Sequence, residues 1–140
     1  MNVSFFLDTN ILIYSFDSRH PDKQSRATDL IRDGLSTNRG VISYQVVQEF
    51  INVATRKFQT PLSVEDCQRY IDYVLIPLCK HFPSMQFYKQ GLHTMQSWGY
   101  SWYDSLIISA AMESGCQTLY SEDLQHGQRI QELTVVNPFF

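Results

Sequence analysis

The sequence predicts an α/β protein: a three-layer α/β/α sandwich around a mainly parallel sheet of about five strands. Three observations carry this. Short apolar runs alternate along the chain with longer segments whose apolar residues recur at helical spacing. The short runs are too apolar to leave one sheet face wet, as expected of strands buried between helices. Finally, 140 residues is the usual size of one domain with one core, so a single domain over residues 1–140 is expected.

The elements follow in order. Val3 to Leu7 reads as a buried strand that stops at the polar Asp8-Thr9-Asn10. A short apolar segment, Ile11 to Phe16, comes next. His20-Pro21-Asp22 suits a helix entry with proline in the first turn, and Gly34 suits its exit after Ala27, Leu30 and Ile31. Gly40 to Ser43 is a second strand. From Ser43 or Tyr44 a helix runs through Val46, Val47, Phe50, Val53 and Ala54. Pro61 to Ile76 reads as another, with Ser63 as N-cap and Pro77 near its end. Leu78 to Phe82 is a brief edge strand. Phe87 to Trp98 is helical until Gly99, and Asp104 to Ser114 is helical until Gly115. Thr118 to Tyr120 and Thr134 to Val136 complete the strands. There is no internal repeat or linker.

Composition narrows the function classes. Hydrophobic residues make up 44% and charged residues 18%, near globular averages, so the chain has no disordered bias. Eleven Lys+Arg against fourteen Asp+Glu give a net charge of −3, which argues against nucleic-acid binding by bulk positive charge but permits a local basic groove. No apolar run approaches the ~20 residues needed to cross a bilayer. Met1-Asn2-Val3 lacks the basic start of a secretory signal, so a cytoplasmic location is expected. Cys67, Cys79 and Cys116 are odd in number and widely spaced, and suggest neither disulfides nor a thiolate zinc site.

In an open parallel sheet, ligands bind beyond the carboxyl ends of the strands, so acids at those ends matter most. Asp8 ends the first strand, Glu49 follows the second, Asp104 opens the late helix and Glu122-Asp123 follow Thr118 to Tyr120. Each has an ordinary structural reading as well. Asp104 suits a helix cap, yet it shares the inward arc of Ile107, Ile108 and Ala111. Glu49 lies at the edge of an apolar stripe, where a solvated glutamate is common. Asp8-Thr9-Asn10 suits a turn, and Ser121-Glu122-Asp123 suits a cap for a helix over Leu124 to Leu133. The conjunction is stronger than any member. Carboxylates ~4 Å apart repel by about 4 kcal/mol per pair at an effective dielectric near 20, so a shared pocket would demand a cation or a proton. Oxygen ligands favour Mg²⁺ or Mn²⁺ over zinc, and His20, His81, His93 and His126 show no ligand-like spacing.

Four segments then resemble, in order, the motifs of one family. Phe6-Leu7-Asp8-Thr9-Asn10-Ile11-Leu12, Ser43 to Phe50, Ser101 to Ile107, and Leu119 to Gly127 with Val136-Asn137-Pro138-Phe139 are similar to those of the PIN-domain ribonucleases, particularly the VapC-like toxins of bacterial toxin–antitoxin systems. The resemblance covers nearly the whole chain and implies a PIN-like fold. It places the acidic site at Asp8, Glu49, Asp104 and Asp123, supported by Asn10, Ser121 and Glu122. Ser121 stands where many relatives carry threonine, and either hydroxyl can donate to a carboxylate. Whether Glu122 or Asp123 is the nearer ligand stays open.

The resemblance further implies Mg²⁺- or Mn²⁺-dependent hydrolysis of RNA phosphodiesters that leaves a 5′-phosphate and a 3′-hydroxyl. Asp8 and Asp104 would be the first ligands, Glu49 would ligate through water or orient the nucleophile, and Asp123 would complete the acidic shell. A cognate antitoxin and a homodimer are the implied partners. Arg19, Lys23, Arg26, Arg56 and Lys57 are candidates for phosphate contacts, although such charges are commonly solvated surface. Trp98, Tyr100, Trp102 and Tyr103 suit either base stacking or packing.

Two modules with acids at strand ends compete. A phosphoacceptor receiver domain and a haloacid-dehalogenase-like phosphatase both need a late lysine, and the last lysine here is Lys89. A PIN fold reduced to a binding module would be signalled most simply by a missing acid, and none is missing. A housekeeping RNA-processing nuclease remains the alternative to a toxin.

Overall fold

The computed structural model describes residues 3–140. Strand β1 (Phe5–Leu7) leads through α1 (Thr9–Tyr14) and α2 (Pro21–Thr37) to β2 (Gly40–Ser43), and α3 (Tyr44–Arg56) follows directly. Next comes α4 (Val64–Tyr70), which continues through a wider π-helical stretch, Ile71–Leu75, into the single turn α5 (Ile76–Leu78) and then β3 (Cys79–His81). The helices α6 (Met85–Trp98) and α7 (Trp102–Glu113), which pack on each other, precede β4 (Thr118–Tyr120), β5 (Arg129–Ile130) and β6 (Leu133–Val136).

The six strands lie in the order β3-β2-β1-β4-β6-β5, all parallel except β5, which turns back antiparallel on β6. This is the expected α/β architecture with one more strand than anticipated. Every residue of β1 and β2 is buried, so helices cover both faces. Phe6, Leu7, Ile42, Leu119 and Leu133 form the fully buried centre, with Ile11, Phe50 and Ile108 from the helices. Strand order reverses at β1, flanked by β2 and β4, and such a switch point opens a crevice at the strands' carboxyl ends.

Several boundaries differ from the sequence reading. Helix α2 does not exit at Gly34 but runs to Thr37, where Asn38 (φ 59°) supplies the left-handed stop. Gly34 instead lets α2 approach β2: a Cβ on Gly40 would sit 2.7 Å from Gly34 Cα. Helix α4 starts at Val64 rather than Pro61, because Ser63 accepts a hydrogen bond from Asp66 N and fixes the start there. The first strand begins at Phe5 rather than Val3. No helix forms over Leu124 to Leu133; Gly127 (φ 85°) and Gln131 (φ 55°) turn the chain into the β5–β6 hairpin. Cys67 and Cys116 are buried, Cys79 is half-buried, and all three are free. Among the described residues no helix is long and apolar enough to cross a membrane.

Candidate active site

Asp8 is the first residue beyond β1 and is 7% exposed. Its Oδ1 accepts a hydrogen bond from Thr9 N at 2.7 Å, capping α1, and its Oδ2 accepts one from the Ser121 hydroxyl at 2.8 Å. One carboxylate thus caps α1 and also lines a cleft. Its carboxyl is pushed up to about 6, by burial above all and by the nearby Asp123 and Glu49 carboxylates, against the bonds from Ser121 and Thr9 that pull it down.

The other acids arrive from separate elements. Glu49 projects from the second turn of α3, and the Thr9 hydroxyl donates to its Oε1 at 2.6 Å. Asp104 lies in the first turn of α7, but the cap there is Ser101, whose Oγ accepts from Asp104 N at 3.3 Å. The Asp104 carboxylate is thus not consumed by capping. Asp123 follows β4; its N–H donates to Ser121 Oγ at 3.2 Å and its Oδ2 accepts from Asn10 Nδ2 at 3.1 Å. Asp8, Asn10, Glu49, Asp104 and Asp123 all line one cleft of about 300 Å³.

Glu122 points the other way. Its carboxylate accepts from the Tyr14 hydroxyl and from Lys23 Nζ, both at 2.8 Å. Burial works against its charge, but Lys23 and Tyr14 outweigh it and hold the carboxyl below its usual range. Alternation along the chain after Ser121 thus sends Asp123 to the cleft and Glu122 to a clasp on α1 and α2.

Of the cationic candidates, Lys23 is committed to that clasp. Arg19 and Lys57 line a neighbouring cleft of about 430 Å³ that shares Ile13 and Val53 with the acidic one, and Arg19 is paired with Asp17 at 2.9 Å. Arg26 and Arg56 are exposed and stand outside both clefts. Among the described residues no histidine lines the acidic cleft. Tyr103 borders it and is 64% exposed, whereas Trp102 is half-buried against Tyr88. Tyr100 donates to Gln128.

Sequence reasoning missed two groups. The Thr9 hydroxyl holds Glu49, and Gln45 donates from Nε2 both to Glu49 Oε2 at 3.4 Å and to the Tyr103 carbonyl at 3.2 Å. Gln45 stands four residues before Glu49 on α3, a spacing that faces two side chains on one helix surface and was available as a signal.

The donors in the cleft are all oxygen. Asn10 Oδ1 is buried there with no hydrogen-bond partner, and the carboxylates repel one another, so the residues fit a hard cation. Among the described residues no three acidic, histidine or cysteine side chains are gathered at ligand distance. Mg²⁺ keeps several of its waters and is commonly held by one or two carboxylates, so a looser ring suits it.

No curated protein matches the chain. Solved structures do. A toxin–antitoxin complex from Klebsiella pneumoniae aligns over 96% of this chain and 98% of that one, with 20% identity and a TM-score of 0.70. VapBC2 from Rickettsia felis, bound to a DNA fragment from its promoter, aligns over 95% and 97% with 24% identity and a TM-score of 0.61. VapC20 of Mycobacterium tuberculosis, a toxin that cleaves the sarcin–ricin loop, aligns over 86% and 90% with 17% identity and a TM-score of 0.58. These likenesses concern the fold. The family model of the PIN domain matches residues 5–129, nearly the whole described chain, and the chain therefore belongs to the PIN domain family.

Proposed function

We propose that this protein is an endoribonuclease that hydrolyses RNA phosphodiesters with Mg²⁺ or Mn²⁺, and that it is the cytoplasmic toxin of a toxin–antitoxin pair. One observation carries the catalytic reading: Asp8, Glu49, Asp104 and Asp123, which come from four separate stretches of chain, line one cleft at the sheet's switch point. Like charges converge this way where a cation and an anionic substrate are to meet.

Asp8 and Asp104 would hold the ion, with Asp123 beside them and Asn10 Oδ1 as a neutral oxygen donor. When bound, the ion offsets charge on the phosphoryl group and lowers the pKa of the attacking water. Glu49, fixed by Thr9 and Gln45, orients that water. Ser121 keeps Asp8 facing the cleft and favours its ionised form. Arg19 and Lys57 in the adjoining cleft would take flanking phosphates.

The toxin reading is supported by the likeness to toxin–antitoxin structures and by an apolar groove of about 540 Å³ between α1, α2 and the helix after Ser63, lined by Phe16, Ile31, Leu35, Tyr70 and Val74. An antitoxin helix would bury its apolar face there. A homodimer is the proposed assembly. The test is to incubate the purified protein with structured and unstructured RNAs in Mg²⁺, Mn²⁺ or EDTA. Cleavage should need the metal and should fall at least about 100-fold in Asp8→Asn and Asp104→Asn; cleavage that survives EDTA or both substitutions refutes the reading. Growth arrest on induction, relieved by a short neighbouring open reading frame, separates a toxin from a housekeeping nuclease.

A further inference from the structure

Next to the acidic cleft lies a second cavity of about 350 Å³, and we infer that it receives one unpaired nucleobase of the RNA strand whose phosphate is cut. The inference rests on the ribonuclease reading above and adds to it a place where the substrate's sequence is read.

The two cavities share a wall. Gln45 and Tyr103 line both, joined by the hydrogen bond from Gln45 Nε2 to the Tyr103 carbonyl, so a strand with its phosphate among the acids brings a neighbouring base to the second cavity. The floor is Ser43, at the end of β2, only 4% exposed. A serine at a helix N-cap ordinarily accepts a bond from an N–H of the first turn. Ser43 occupies the N-cap of α3 without making that bond, and its Oγ is buried with no partner. A buried hydroxyl left unmatched is costly unless a ligand completes it.

The surroundings define the ligand's chemistry. Tyr88, Trp102 and Tyr103 supply flat aromatic surface; Ser43 supplies a hydroxyl and Gln48 an amide that can donate or accept, while Gln45, whose two N–H groups are bound to Glu49 and to the Tyr103 carbonyl, offers its amide oxygen as an acceptor. Among the described residues no lysine or arginine lines the cavity, and His81, the imidazole in its lining, has Nε2 held 3.0 Å from Glu113 Oε1. This suits a neutral, planar group with a polar edge rather than a phosphate. Unpaired bases in RNA are gripped in this manner, by stacking on aromatic rings and hydrogen bonding along the edge.

Trp98→Phe leaves Trp102 as the only tryptophan and gives a fluorescence signal at the cavity. In EDTA, where no cleavage occurs, that protein is titrated with AMP, GMP, CMP and UMP, with ribose 5-phosphate as the base-free control. At least one nucleotide should bind about tenfold more tightly than ribose 5-phosphate, and Ser43→Ala or Tyr103→Ala should weaken it about tenfold with the circular dichroism unchanged. In Mg²⁺, the same substitutions should blur the choice of cut sites. Nucleotides that bind no better than ribose 5-phosphate, or a cutting pattern that both variants retain, overturn the base subsite while leaving the nuclease reading intact. Base-dependent binding lost in the variants, in a protein that cuts no RNA, keeps the subsite and removes the nuclease reading. A dimer that Tyr44→Glu splits, with neither form binding nucleotides, assigns the cavity to contact between copies and overturns the proposal.

Discussion

Asp8 both caps α1 and lines the acidic cleft, and its proton reports on both. Its carboxyl moves from the ordinary 3.8 to about 6, worth ~3 kcal/mol at ~1.4 kcal/mol per pH unit. Because folding raises its affinity for the proton, the contribution to stability is full below pH ~4 and is lost as pH rises through about 6. In EDTA, Asp8→Asn should therefore gain stability relative to the wild type between pH 4.5 and 7.5, by ~2–3 kcal/mol in urea unfolding. A difference that stays flat with pH contradicts the buried carboxylate. Residue by residue, convergence on one cleft was readable where acidic character and a strand-end position coincide, as with Asp8, Glu49 and Asp104. The choice between Glu122 and Asp123 was not, because it depends on Lys23 and Tyr14, about a hundred positions away.

At the scale of elements, the segment from Ser121 to Gln128 has no regular backbone ladder of its own except the bonds that tie its ends to β6, and Glu122 pins it to α1 and α2. Partly exposed ion pairs contribute little to stability, about 0–1 kcal/mol. Lys23→Met should accordingly cost less than about 1 kcal/mol in a thermal melt, yet raise the metal concentration needed for half-maximal cleavage, because Asp123 loses its placement; Lys23→Arg should restore part of it. Equal metal requirements in the two variants would rule out the clasp. The α2–β2 contact makes the opposite forecast: Gly40→Ala should destabilise by about 1–3 kcal/mol, since its Cβ would meet Gly34 Cα at 2.7 Å and Leu78 Cδ2 at 2.9 Å. An unchanged melting temperature would show that the helix can back away. Strands and most helices were legible because their burial imposes a period on the sequence. The end of α2 was not, since Gly34 serves close packing and Asn38 the stop. Nor was β5, whose two residues are too few to impose a period, although β6, buried on alternate residues, was read as a strand over Thr134 to Val136.

Across the whole molecule, a net charge of −3 means that the proposed RNA substrate would have to be drawn by local cations against the average field. Lys57→Ala should lower the slope of log affinity against log salt by about 0.7, the value for one single-strand phosphate contact. Arg26→Ala, outside both clefts, should leave it unchanged; equal slopes for the two variants would remove the basic cleft from the binding path. The overall architecture was legible because a parallel sheet covered on both sides leaves few arrangements for alternating elements. The rims of that sheet carry a further meaning. One outer strand is three residues long and has Lys80, whose Nζ reaches back to the Gly40 carbonyl at 2.6 Å; the other is only two residues long. Neither rim offers a stranger's backbone a ladder to join, which guards against runaway stacking, so any second copy must meet this one through helices and loops.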